Sequence, residues 1–150
     1  MNKIKKIAVY LIIFVFGVVL SGCSNTNVLT GENFKEKLES MGYNVRDVTD
    51  AFETGTVEEA YLAVKKDIVI QFRILEDEEK AIDVYEQMKK DLEEKGNNSS
   101  NNSNNNKDKF VMNIENRYIV LTRVGNTILY SDVGNHNKKE VENNLNELGY

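Results

Sequence analysis

The sequence predicts an α+β fold: an antiparallel sheet of five to six strands with about three helices. Two observations predict it. Three segments repeat apolar residues at i, i+4 and i+7, the spacing of one helix face. Other short segments alternate apolar and polar side chains or are almost wholly apolar, and two pairs of them are joined by two-residue turn signals. We expect one domain over residues 31–150, because this length is too short for two.

The first helix is predicted to begin after Thr30, whose hydroxyl can cap it. Its apolar stripe consists of Phe34, Leu38 and Met41. Gly42 stands where a glycine in the left-handed region ends a helix, and Tyr43 can then fold back on the stripe. Residues 43–50 are predicted to be extended.

Residues 57–66 can be interpreted in two ways. A capping-box pattern from Thr56 to Glu59 favours a helix, whereas Ala60, Leu62 and Val64 alternate as in a strand. We expect a strand over about residues 60–66, because the alternating segment after it needs a paired neighbour. Lys66-Asp67 would form the tight turn between them. The sequence alone leaves the helix open.

The second helix is predicted from the acidic run at residues 76–79 to Gly96. Acidic residues at its start and lysines near its end suit the helix dipole. An acidic run is also a feature of calcium sites, but the aspartate and glycine spacing of a calcium loop is missing. The first turn of a helix is therefore the simpler interpretation.

Residues 97–106 contain only asparagine and serine. Such a tract has no apolar surface to bury, so we expect a flexible Asn/Ser-rich loop at 97–106. The loop could contact a ligand or a glycan. A tolerated surface insertion is the simpler interpretation.

Three further strands are predicted over residues 110–114, 118–124 and 127–131, with Gly125-Asn126 as a hairpin turn. A last helix, capped by Asn137, follows them. Its end resembles the end of the first helix: Leu-Glu-Ser-Met-Gly-Tyr at 38–43 against Leu-Asn-Glu-Leu-Gly-Tyr at 145–150. The similarity raises the hypothesis of a duplicated helix-plus-strands unit, with chance similarity between helix ends as the alternative.

The first 22 residues have the form of a secretory signal: three lysines, an apolar run over residues 7–20 and small residues before Cys23. The run is shorter than the ~17 residues that a membrane-spanning helix needs at minimum. Leu20, Ser21, Gly22 and Cys23 resemble the lipobox of bacterial prolipoproteins. The resemblance implies that a signal peptidase recognises Leu20, Ser21 and Gly22, that residues 1–22 are removed, and that Cys23 is lipidated. Residues 23–30 would then be the lipidated tether. A plain secretory signal with an incidental cysteine is the alternative.

A lipidated Cys23 would hold the protein on the outer, extracytoplasmic face of the cell membrane, since two acyl chains anchor stably. It is the chain's only cysteine, so no thiol would remain for a disulfide, a nucleophile or a metal. The leader carries three lysines and no acid, so its removal takes the formal net charge from −5 to −8. This charge argues against nucleic acid as a partner. Membrane lipid through the anchor is the expected partner, together with an envelope protein or a small ligand.

The sequence after the leader contains no catalytic motif. His136, the one histidine, is interpreted as a solvated loop residue, and it cannot supply a usual zinc site alone. We expect no metal and no cofactor. The favoured function is a surface-anchored binding or interaction module. Tyr61, Tyr118 or Tyr130 would be contacts on an open sheet face, although ordinary sheet packing also accounts for each. The alternative is a small extracytoplasmic enzyme that uses carboxylate or tyrosine chemistry in a pocket.

Overall fold

The computed structural model describes residues 28–96, 99–104 and 106–150, which form three helices and seven strands. In chain order these are α1 (Gly31–Ser40), β1 (Asn44–Asp47), β2 (Glu59–Lys65), β3 (Ile68–Ile74), α2 (Glu78–Glu93), β4 (Ser99–Asn104), β5 (Lys107–Ile114), β6 (Arg117–Val124), β7 (Thr127–Gly134) and α3 (Lys138–Leu148). The strands form one antiparallel sheet in the order β1-β2-β3-β7-β6-β5-β4. The α+β class is confirmed, with at least one strand more than the five to six expected.

The ends of α1 follow the sequence prediction. The Thr30 hydroxyl accepts a hydrogen bond from the Asn33 amide at 3.2 Å. Gly42 adopts φ +86°, and the Tyr43 amide then donates to the Leu38 carbonyl at 3.0 Å. Tyr43 is buried in the core. This arrangement satisfies carbonyls that would otherwise lack partners at the end of the helix.

The segment at residues 57–66 contains the strand Glu59–Lys65 and not a helix, as predicted. β2 pairs with β3 along its whole length, and Lys66 in the turn between them has φ +54°. The hairpin from β6 to β7 turns at Gly125, with φ +56°. α2 begins at Glu78, where the Asp77 carboxylate accepts from the Lys80 amide at 2.8 Å, so the acidic run caps a helix.

Helices pack on both faces of the sheet. α1 and α3 lie side by side on one face, and α2 lies on the other. The reason is that β6 and β7 are apolar on both sides: Val120 and Leu129 pack on the α1/α3 side, while Leu121 and Ile128 pack on the α2 side. A sheet that is apolar on both faces needs a covering layer on each. On the α1/α3 side the Phe34 ring stacks on Phe72, with 4.6 Å between centroids.

The prediction of a loop at 97–106 is wrong for residues 99–104, which form the edge strand β4. All six side chains are exposed, as their polarity requires, but the backbone pairs with β5 from Ser99 opposite Met112 to Asn104 opposite Lys107. The Tyr85 hydroxyl on α2 also donates to Asn101 Oδ1 at 3.3 Å. The pairing satisfies the backbone groups of β5, whose Phe110 and Met112 are fully buried.

The architecture lacks the symmetry of a duplicated unit. Two such units would meet at β3 and β7, which are antiparallel neighbours. A two-fold axis between antiparallel neighbours is perpendicular to the sheet and keeps equivalent helices on one face, but α1 and α2 lie on opposite faces. The similarity between residues 38–43 and 145–150 reflects a shared way of ending a helix. Gly149 has φ +94°, and the Tyr150 amide donates to the Leu145 carbonyl at 2.8 Å.

Candidate functional site

One half of the sheet lacks a covering helix on the α2 side. α2 packs against β6 and β7 and touches β3 at Arg73 through Met88, so most of β1, β2 and β3 has no α-helix over it on this side in the part of the chain that the structure describes. We call the half-buried side chains of this region the open face: Leu62, Val64, Val69, Gln71, Arg73 and Tyr130. Tyr130 lies at the border of α2. A solvated sheet face normally carries polar side chains. This one presents three aliphatic side chains, which makes it a candidate binding surface.

The strand register aligns Leu62, Gln71 and Tyr130 in one row across β2, β3 and β7. A shallow cleft lies near each end of this row. One has a volume of about 200 Å³, with Phe52, Leu62 and Arg73 among its lining residues. The other has a volume of about 360 Å³ and is lined by Met88, Asp91, Leu92, Lys95 and Tyr130. The row and its two clefts form a surface suited to an elongated ligand.

Arg73 lies at the Phe52 end of the open face. Its guanidinium group lies over the Phe52 ring, 4.9 Å from the centroid. Nη2 donates to Gln71 Oε1 at 3.3 Å, and Nη1 makes a weak contact with Met88 Sδ at 3.8 Å. Burial lowers the pKa of the Arg73 guanidinium from its ordinary value. No carboxylate of the described residues lies within 4.0 Å of it.

Arg123 lies in the same cross-strand row as Arg73, but its charge is paired. Arg73 and Arg123 are both opposite Ile128, from β3 and from β6. The Arg123 side chain is 3% exposed, with Asp108 at 2.6 Å and Glu78 at 2.9 Å. Buried charges are normally paired in this way. The two arginines thus share a sheet face, and one of them is neutralised while the other is not.

Only one of the three tyrosines predicted as contacts lies on the open face. Tyr130 is there, but Tyr61 and Tyr118 project to the α1/α3 side. The Tyr61 hydroxyl donates to Glu59 Oε2 at 3.0 Å, and the fully buried Tyr118 donates to Glu142 Oε1 at 3.1 Å. For these two residues the ordinary packing role is correct. Alternation along a strand separates residues by face but does not say which face a helix covers.

A larger cleft, of about 1000 Å³, lies between the start of α1 and the end of α3. Its walls include Asn33, Lys37 and Glu147, and the Lys37 ammonium donates to the Glu147 carbonyl at 3.0 Å. It also borders Val28, the first described residue. None of its described lining residues is a half-buried charge without a counter-charge, so we regard the open face as the stronger candidate.

His136 has a partner that the sequence did not suggest. Its Nε2 lies 2.9 Å from Asp67 Oδ2, and the side-chain Nδ2 of Asn137 donates to the same oxygen at 2.9 Å. Hydrogen bonds from Asn137 and His136 lower the pKa of the exposed Asp67 carboxyl. No group of three possible metal-ligating side chains occurs within the described ranges. The pair His136–Asp67 ties the β2–β3 turn to the start of α3.

Leu20, Ser21, Gly22 and Cys23 lie outside the described residues, as do the rest of the leader and the tether up to residue 27. The predicted lipidation site and peptidase recognition residues therefore remain predictions. Among the described helices, none is long and apolar enough to cross a membrane.

Arg73, Phe52 and Met88 were not predicted from the sequence as members of a site. A signal for Arg73 was present, because Gln71 and Arg73 occupy the polar positions of β3, and their polarity indicates a face that is not fully buried. Phe52 and Met88 gave no such signal. They come from a loop and a helix that only the tertiary fold brings to the same guanidinium group.

No family model matches the chain, and no curated protein matches it. Among solved structures, the chain is similar to the crystal structure of a GTP binding regulator from Thermotoga maritima, with 15% sequence identity and a TM-score of 0.48. The similarity covers 76% of this chain and 82% of that one. A likeness at this level does not indicate a shared function.

Proposed function

We propose that the protein is a lipid-anchored, extracytoplasmic binding module that holds a polypeptide segment of an envelope protein on its open face. The observation that carries the proposal is the uncovered half of the sheet beside α2, where Leu62, Val64 and Val69 are only half-buried. Covering them would remove further apolar surface from water, at about 25 cal/mol per Å². Partly apolar surfaces with a polar border are typical of interaction sites.

The shape of the surface favours a polypeptide over a small molecule. Sites for small ligands are concave and bury most of the ligand. The open face instead extends over three neighbouring strands, about 10 Å across at the usual strand spacing. An extended or helical segment of a protein would cover such a surface, whereas a small ligand would remain largely in solvent.

The lipobox resemblance supports the location of the module. Leu29 is buried in the core, so the tether is at most residues 23–28, and fully extended it would hold the domain within about 20 Å of the membrane surface. A partner of the open face would then be a membrane protein or a protein close to the membrane.

The alternative function, a small enzyme using carboxylate or tyrosine chemistry, is not favoured by a specific observation. A general acid or base is most effective with a pKa near the working pH. Burial raises the pKa values of Tyr43 and Tyr61 to about 12, away from neutrality. Hydrogen bonds from Thr49 lower the pKa of the Asp47 carboxyl, and that side chain is exposed.

Site-specific photo-cross-linking in intact cells tests the proposal. A photoreactive amino acid is placed at Gln71 on the open face in one full-length variant, and at the exposed Glu36 of α1 in a matched control. We expect one reproducible protein adduct from position 71 and none from position 36. Equal labelling from both positions, or none from position 71 in a correctly localised protein, would contradict the proposal.

A further inference from the structure

We infer that Arg73 is an anion subsite, which binds a carboxylate of an acidic, partly apolar peptide segment lying across the open face. The inference rests on the proposed function and names the chemistry of its ligand. The arginines in the described part of the chain differ in whether a carboxylate neutralises their charge.

The charges of three of the four described arginines are neutralised by a carboxylate or screened by water. Arg123 is buried between Asp108 and Glu78. Arg117 is exposed and paired with Asp132 at 2.7 Å. Arg46 is exposed to water, which screens its charge. Arg73 is partly removed from water and has no carboxylate within 4.0 Å in the described ranges. A charge that is partly desolvated and unpaired is unfavourable unless a ligand supplies the opposite charge.

The Arg73 guanidinium group is held in place but keeps free donors. The contact with the Phe52 ring and the hydrogen bond to Gln71 restrict its orientation. A guanidinium group has five N–H donors, and the hydrogen bond from Nη2 to Gln71 uses one of them. Nε has no partner among the described residues, and none of their buried side-chain nitrogens lacks a partner, so Nε is accessible to solvent. A preorganised guanidinium group of this kind suits bidentate binding of a carboxylate.

The surroundings of Arg73 favour an acidic peptide over a free anion. The aliphatic side chain of Leu62 and the ring of Tyr130 lie in the next row, and Met88 contacts the guanidinium group itself. These groups would pack against apolar side chains beside the bound carboxylate. A single arginine beside apolar surface suits a carboxylate better than a phosphate, which is usually held by several cationic or backbone donors.

The test measures binding of two synthetic peptides to the isotope-labelled full-length chain in detergent by NMR. One peptide alternates leucine and glutamate, and its matched partner alternates leucine and glutamine. We expect the glutamate peptide to shift the signals of Leu62, Gln71 and Arg73. We expect the glutamine peptide to bind at least about tenfold more weakly, which corresponds to the loss of one charge-assisted contact of about 1.4 kcal/mol.

The variant Arg73→Gln should lose the same tenfold preference, while Lys139→Gln, which removes an exposed cation from α3 on the other side of the sheet, should keep it. Equal binding of the two peptides to the unchanged protein would overturn the inference without any variant, so a misfolded Arg73→Gln protein would not leave it untested. Inorganic phosphate binding at Arg73 as tightly as the glutamate peptide would overturn the assignment to a carboxylate. A cross-link from Gln71 in cells that persists in Arg73→Gln would overturn this inference and leave the proposed function standing.

Discussion

Replacing Arg123 and Arg73 separately by methionine tests whether these two arginines have different roles. Methionine keeps much of the volume of the arginine stem and removes the charge. In Arg123→Met the Asp108 carboxylate, whose side chain is 14% exposed, would lose its counter-charge. Removing one partner of a buried ion pair costs about 3–5 kcal/mol in the free energy of unfolding. Glu78 is 46% exposed, so the loss of its contact adds little.

In Arg73→Met, stabilising and destabilising contributions to the free energy of unfolding are both removed. The change removes a cation–π contact with Phe52, worth about 0.5–1 kcal/mol at a partly exposed site, and one long hydrogen bond to Gln71. It also removes a half-buried charge that no carboxylate of the described residues neutralises. These effects oppose each other, so we expect the free energy of unfolding to change by less than about 1 kcal/mol.

Thermal unfolding of the two full-length variants in the same detergent measures the difference. For a domain of about 120 residues, 1 kcal/mol corresponds to about 4 °C in Tm. Arg123→Met should therefore lower Tm by about 12–20 °C, and Arg73→Met should shift it by less than about 4 °C. An equal loss in both variants would refute the reasoning, because Arg73 would then be a structural residue and not a binding residue.

Three further predictions concern the anchor, the tyrosines and the end of α1. Cys23→Ala should leave the chain unlipidated and move it from the membrane fraction to the soluble fraction; unchanged membrane retention would contradict the lipoprotein prediction. Burial raises the pKa values of all six described tyrosines, those of Tyr43 and Tyr61 to about 12, so the stability that they contribute is complete below about pH 10 and lost as the pH rises through the folded-state values. Tyrosinate absorbance of the chain from residue 23 onward should therefore rise at a higher pH than that of free tyrosine, and ionisation of these residues near pH 10 in the folded domain would argue against this burial. Gly42→Ala should lower the free energy of unfolding by about 1–2 kcal/mol because alanine disfavours φ +86°, while Gly42→Asn, which tolerates this region, should cost less; equal losses measured in urea would point to another cause.

The elements of the fold were predictable where local chemistry decides them. The Thr30 cap and the Gly42 end of α1 depend on residues within one turn of each other. The alternation in β3 identifies a strand and indicates that Gln71 and Arg73 share its more polar face. These features repeat with the period of a helix or a strand, so a short window of sequence contains the whole signal.

The strand at residues 99–104 could not be predicted from a short window of sequence. Asparagine and serine carry no strand signal, and the segment pairs because β5 presents an edge with unsatisfied backbone groups. The pairing partner is set by the tertiary fold and not by the side chains of β4. In the same way, the faces assigned to Tyr61 and Tyr118 depended on where α1 and α3 packed, which the alternation within their strands does not contain.

The sequence by itself determined the α+β class, the positions of the helices and of the β2–β3 and β6–β7 hairpins and, by resemblance, the predicted lipid anchor at Cys23. Only the tertiary structure decided that two helices share one face of the sheet, that α2 alone covers part of the other, and that Arg123 is neutralised while Arg73 is not. The physical reason is that helix and strand periods are local, whereas burial and charge pairing depend on groups far apart in the chain. Asp108 and Glu78 reach Arg123 from β5 and α2, and Phe52 and Met88 reach Arg73 from a loop and a helix.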